Sequence, residues 1–97
     1  MVVETVGFPD YTKILASIDS KATTYTATEN CIAIGRMQCT SNSTAAVKIN
    51  DVKIIEVGMS DSGNYRPQVP IYLPIKAGQT FGTGNAANYN INIYGLY

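Results

Sequence analysis

Residues 46–54 read Ala46-Val47-Lys48-Ile49-Asn50-Asp51-Val52-Lys53-Ile54. Two alternating runs flank an Asn-Asp pair, and both of those residues tolerate the positive φ that a two-residue hairpin turn demands. The stretch therefore predicts a β-hairpin in which Ile49 faces Val52 across the turn. Period-two alternation puts Val47, Ile49, Val52 and Ile54 on one face, with Lys48 opposite Lys53 on the other. Beyond Ile54 the pattern slips, because Ile55 and Val57 fall on the lysine face. That slip predicts either a bulge or a cover supplied from elsewhere, such as a neighbouring subunit.

Other segments repeat the same grammar. Val69, Ile71, Leu73 and Ile75 alternate with Pro70, Tyr72, Pro74 and Lys76. The two prolines remove amide donors from one flank, which predicts an edge or bulged strand. Ala77-Gly78-Gln79 then predicts a turn with Gly78 at positive φ, and Thr80-Phe81 opens the next strand. At the C-terminus, Tyr89, Ile91 and Ile93 share one face while Asn90, Asn92 and Tyr94 share the other, so a strand runs to a docked end at Leu96 and Tyr97. Cys31 to Gly35 is continuously small or apolar, as in a strand covered on both faces. Thr23 to Ala27 is a strand by propensity. Residues 12–18 fit a helix through Ile14, Leu15 and Ile18 or a strand through Ile14, Ala16 and Ile18; the strand is the reading taken. Seven or eight short strands separated by turn signals predict an all-β fold, an antiparallel two-sheet jelly-roll sandwich of about eight short strands. One domain spans residues 1–97, with 1–8 as an N-terminal extension.

The composition agrees with that class. Of 97 residues, ten are Thr, eight Asn, six Ser and seven Tyr, a palette of strand formers and turn residues. Seven Lys and Arg balance seven Asp and Glu, and charged residues make up only 14%. No basic stripe for nucleic acid is visible, and no apolar run approaches the roughly 20 residues that span a bilayer. The absence of histidine removes the commonest general base and zinc ligand, so the expectation is a non-enzyme without metal or cofactor. Low surface charge also favours subunit interfaces, whose cores are depleted in charge.

Each candidate for chemistry has a plainer structural reading. Cys31 and Cys39 lie about 26 Å apart on a continuous strand at ~3.3 Å per residue, beyond disulfide reach, whereas a hairpin at Gly35-Arg36 would bring them together. Buried free thiols are the reading taken. Gly82-Thr83-Gly84 resembles part of a nucleotide loop but lacks the Lys-Ser/Thr ending, and reads as a glycine turn. Asp51, Glu56 and Asp61 show no spacing or apolar pocket that marks a carboxylate pair. Asn42-Ser43-Thr44 matches a glycosylation acceptor, a match that eight Asn and sixteen Ser and Thr produce by chance. Residues 58–66 form the longest polar break between strands, and Asp61, Asn64, Tyr65 and Arg66 are its candidates for ligand binding. For a subunit interface the candidates are Ile55, Val57, Tyr94, Leu96 and Tyr97.

The order of short motifs carries a resemblance over most of the chain, from about residue 9 onwards. These are Pro-Asp-Tyr at 9–11, Thr-Tyr-Thr-Ala-Thr-Glu-Asn at 24–30, Val-Lys-Ile-Asn-Asp-Val-Lys-Ile at 47–54, Pro-Ile-Lys-Ala-Gly-Gln-Thr-Phe at 74–81 and Tyr-Asn-Ile-Asn-Ile-Tyr-Gly-Leu at 89–96. In that order they resemble the C-terminal head domain of bacteriophage or prophage tail-fibre proteins. Such domains resemble the trimeric jelly-roll heads of the tumour-necrosis-factor and complement type. The resemblance implies a homotrimer at a virion fibre tip, made in the bacterial cytoplasm before assembly or found extracellularly. It further implies that the head binds a host-surface glycan or protein, or nucleates fibre trimerisation. Residues 24–39 would then supply the second and third strands, 47–57 a hairpin and 89–97 the last strand near the axis.

Overall fold

The computed structural model describes residues 7–20, 23–39, 44–58, 68–84 and 87–97. Eight strands occupy them: β1 (Pro9–Ile18), β2 (Thr24–Thr26), β3 (Cys31–Cys39), β4 (Thr44–Ile49), β5 (Val52–Gly58), β6 (Gln68–Ile75), β7 (Thr80–Thr83) and β8 (Ala87–Leu96). No helix occurs among the described residues. Two antiparallel four-stranded sheets run in the orders β1-β8-β3-β6 and β2-β7-β4-β5. Strand β4 pairs with β5, β3 with β6, β2 with β7 and β1 with β8. The chain is thus one antiparallel ribbon, doubled back at the β4–β5 turn and rolled into a sandwich, which is the jelly-roll arrangement.

At the closed end of the ribbon, Asn50 and Asp51 have φ of 50° and 70°. Positive φ at both positions matches the right-handed twist of the flanking strands, and short amide and acid side chains tolerate it. The register passes from Lys48↔Lys53 to Val47↔Ile55, so Ile54 is one extra residue in β5. This bulge corrects the expected core face. Val47 is buried and Ile49 half-buried as expected; Val52, still opposite Ile49, is exposed at the turn end, and beyond Lys53 the bulge leaves Ile54 outside while Ile55 and Val57 turn inward and pack on the core. A second irregularity acts on β1, where Leu15 is the extra residue between Ile14↔Tyr94 and Ala16↔Ile93. It separates Ile14, left outside, from Ala16 and Ile18, which face the core.

The remaining strands follow their patterns. Strand β6, with Pro70 and Pro74, is a sheet edge, where a missing donor breaks no ladder. Strand β3 lies between β6 and β8, and Cys31, Ile32 and Ala33 are all buried. Gly78 has φ of 92° in the turn before β7. The Tyr97 N–H donates to the Phe8 carbonyl at 2.9 Å, which docks the last residue. Between the sheets, Met37, Ile71, Ile75, Ile91 and Ile93 of one meet Val47 and Phe81 of the other, all nearly inaccessible to solvent.

One contact between the sheets and one within a sheet constrain this packing. The buried Tyr89 of β8 reaches across to β4, where its hydroxyl accepts from the Ala46 N–H at 3.2 Å and donates to the Ala46 carbonyl at 3.3 Å. A Cβ built on Gly35 would lie 2.0 Å from the Asn90 carbonyl oxygen and 2.7 Å from the Ile91 Cα, both backbone atoms of β8. Glycine is therefore required at this position of β3. At Gly95 the obstacle is instead the aliphatic stem of Lys13, which can move aside.

Thermal unfolding tests both contacts. Tyr89→Phe leaves the buried Ala46 N–H without its partner and costs about 1–3 kcal/mol, a loss of about 4–8 °C in Tm per kcal/mol for a domain of this size. Gly35→Ala destabilises by at least a comparable amount, because two backbones must part. Gly95→Ala has a clearly smaller effect; equal Tm losses for the two glycines would contradict the assignment.

Candidate functional site

The residues expected to bind ligand, Asp61, Asn64, Tyr65 and Arg66, lie outside the described residues. What remains for recognition is the outer face of each sheet, and the two differ in chemistry.

On the β1-β8-β3-β6 sheet, cross-strand registers place Ile14, Tyr94, Ile32 and Pro74 in one row. The next row is Ser17, Asn92, Ile34 and Tyr72, followed by Asn90, Arg36 and Pro70, and then by Asn88, Gln38 and Gln68. Arg36 is the one charge among these paired outer positions. The face grades from apolar and aromatic at one end to neutral amides at the other. Tyr11 meets Tyr94 edge to face with ring centroids 5.3 Å apart, and Ser17 Oγ donates to Asn92 Oδ1, whose Nδ2 donates to the Tyr94 hydroxyl. The tyrosine is thereby held on both sides. Tyr72 and Tyr97 are 61% and 78% exposed. A shallow groove lined by Ile34, Gly35, Arg36, Asn90, Asn92 and Tyr94 crosses the same face.

Of the residues expected at a subunit interface, Tyr94 and Leu96 belong to this outer face, and Tyr97 follows them at the chain end. Ile55 and Val57 do not share it. The β5 bulge turns them towards the chain's own core, which supplies their cover.

On the β2-β7-β4-β5 sheet, one outer row is Thr24, Gly82, Lys48 and Lys53. Gly82-Thr83-Gly84 is not a turn: Gly82 and Thr83 are strand residues of β7, and Gly84 follows directly. Thr83 points inward, its hydroxyl donating to the Ser20 carbonyl at 2.9 Å and accepting from the Thr23 N–H at 3.0 Å. Gly82, next to Thr83 in the strand, falls on the opposite side and is itself buried between its neighbours. With no side chain on Gly82, a trough of ≈290 Å³ opens between Thr24 and Lys48, lined also by Asn50, Asp51 and Thr80. The sequence held a signal for it, two glycines at spacing two beside a strand start, but the same residues suit a turn.

The remaining chemistry is structural. Strand β3 runs unbroken from Cys31 to Cys39, and both thiols are free and buried. Cys39 Sγ donates to the Val57 carbonyl at 3.1 Å. Burial pushes the Cys31 thiol up from its ordinary pKa, and the nearby Glu29 carboxylate adds to the shift. Glu56 is paired with Lys53 at 2.9 Å, and Asp51 sits in the hairpin turn. No group of three or more Cys, Asp or Glu among the described residues could hold a metal ion, and no described helix is long and apolar enough to cross a membrane. No protein-family model, curated protein or solved structure matches the chain.

Thiol labelling checks the cysteine assignment. Because both thiols are buried, and the raised pKa of Cys31 further lowers its thiolate fraction, native protein at pH 8 reacts with a thiol reagent far more slowly than unfolded protein. Both cysteines react on denaturation; rapid native labelling of either would contradict its burial.

Proposed function

We propose that this chain is a non-enzymatic head domain that assembles as a homotrimer and recognises a host-surface glycan or protein, in the manner of a bacteriophage fibre tip. The observation that carries the proposal is the outer face of the β1-β8-β3-β6 sheet. Its described paired positions hold Ile14, Tyr94 and Pro74 around an already buried Ile32, and a single charge, Arg36. Such a face suits burial against a copy of itself, since interface cores favour tyrosine and exclude charge. Tyr94, Leu96 and Tyr97 sit at its apolar end, and Tyr72 extends it on the edge strand.

The jelly-roll order supports the reading, because the motif order that resembles fibre heads implies that topology. The number three comes from the resemblance alone. Catalysis is disfavoured by composition, since the chain has no histidine, and one of its acids, Glu56, is already engaged by Lys53. The same face also suits a second reading, a purely structural virion part such as a knob, decoration or trimerisation cap. For that role an assembly surface suffices without a ligand.

Light scattering on the purified chain separates assembly from its absence. The expected mass is three times the 10.4 kDa of one chain. A charge placed on an exposed aromatic of the face, Tyr72→Glu or Tyr97→Glu, is expected to dissociate the assembly while leaving the circular dichroism unchanged. A monomeric wild type at micromolar concentration overturns the proposal. Binding to a host-glycan and host-cell panel favours recognition; an intact trimer that binds nothing favours the structural part.

A further inference from the structure

The trough on the β2-β7-β4-β5 sheet has an unusual floor. Gly82 lies in the second strand of that sheet with Thr24 on one side and Lys48 on the other. Positive φ is confined to Gly78 among the described glycines, so no left-handed backbone demands glycine here. Packing does not demand it either. A Cβ built on Gly82 would meet the Thr24 Cγ2 at 3.5 Å and the Thr23 carbonyl at 3.7 Å, both ordinary contacts. This is the opposite of Gly35, where β8 backbone fills the space. What glycine does at position 82 is keep the trough open.

The walls carry polar groups that the fold has left over. Asn50 is held rigidly: its N–H donates to the Thr80 carbonyl at 2.8 Å, and its Oδ1 accepts from the Thr80 N–H at 2.9 Å. Its Nδ2 has no hydrogen-bond partner among the described residues. Lys48 is half-buried and faces Lys53 across the β4–β5 pair. Lys53 is neutralised by Glu56 at 2.9 Å, but Lys48 has no ion-pair partner among the described residues. Its stem lies against Gly84, with the Cε 3.7 Å from the place a Cβ would take. Asp51, on the same rim, forms no ion pair with Lys48. The trough is therefore lined by an ammonium without an ion-pair partner among the described residues, an amide held by Thr80, the Thr24 methyl against Gly82 and a carboxylate acceptor.

We propose that this trough binds an acidic sugar unit, a pyranose carrying one carboxylate. The carboxylate accepts from the Lys48 ammonium and the Asn50 amide, and ring hydroxyls donate to Asp51. A volume of ≈290 Å³ lies at the lower bound of about 300 Å³ for small-molecule clefts, which suits a monosaccharide-sized unit. A neutral sugar leaves Lys48 without its anion. A simple anion leaves Asp51 facing a like charge. The trough lies on the opposite sheet from the proposed assembly face, so it stays accessible in a trimer. The assignment rests on the recognition reading above and gives it a ligand class.

The test is a titration of the full chain with glucuronic acid, followed by the amide NMR spectrum, with glucose and inorganic phosphate as separate controls. Saturable shifts at Thr24, Asn50, Thr80 and Gly82 are expected with glucuronic acid and absent with both controls. Lys48→Met keeps the stem over Gly84 and is expected to weaken binding tenfold or more. Gly82→Ala fills the floor and is expected to abolish binding with Tm unchanged, which separates occlusion from unfolding. Absence of saturable shifts, equal shifts with glucose or phosphate, or undiminished binding by Gly82→Ala overturns the proposal. If a trimer forms and the trough fails, the ligand class is lost while the assembly reading stands; a monomer that binds the sugar gives the reverse.

Discussion

The tight turn at Asn50 and Asp51 is the constraint on which the architecture rests. It closes the innermost pair of a ribbon whose other pairs, β3 with β6, β2 with β7 and β1 with β8, enclose progressively longer stretches of chain. Each outer pair must close a larger loop than the one inside it, and closure entropy grows with loop length. The turn is also tied down: Asn50 exchanges two hydrogen bonds with Thr80 of β7, so the hairpin end is docked onto its own sheet. With the register anchored there, a single bulged residue in β5 decides which apolar side chains reach the core.

Rolling the ribbon creates one interior and two exteriors. The interior is held at its spacing by Tyr89, which spans from β8 to the Ala46 backbone, while Gly35 lets β3 and β8 pair within one sheet. One exterior is nearly free of charge and aromatic at one end. The other carries the Lys48 and Lys53 pair, the turn polar groups and a floor of glycine. Two surfaces of contrasting chemistry thus lie back to back across the core, and the proposed assembly and the proposed ligand each use one of them.

Much of the fold was legible because alternation is a local property. Val69 to Ile75, Tyr89 to Ile93 and the Asn50-Asp51 turn each carried their own signal, and Pro70 and Pro74 marked an edge strand. Three placements were not legible. Ile54 and Leu15 are ordinary apolar residues within their runs, and only the partner strand makes each the extra one. Gly82 and Gly84 read as a turn because glycine has the same local meaning in a bend and in a trough floor; the distinction lies in Thr24 and Lys48, brought alongside from β2 and β4. The loop residues singled out for recognition, Asp61 to Arg66, stood out by composition, whereas the trough residues come from three strands and the β4–β5 turn and share no motif.

By itself the sequence determined the class: short alternating strands with hairpin and edge signals specify an antiparallel sandwich. Only the tertiary structure decided which faces became interior. Period-two alternation assigns residues to two sides of a strand, but it does not say which side another sheet will cover. A one-residue bulge reverses the answer for everything beyond it, as it did when Ile55 and Val57 turned inward and left Ile54 outside.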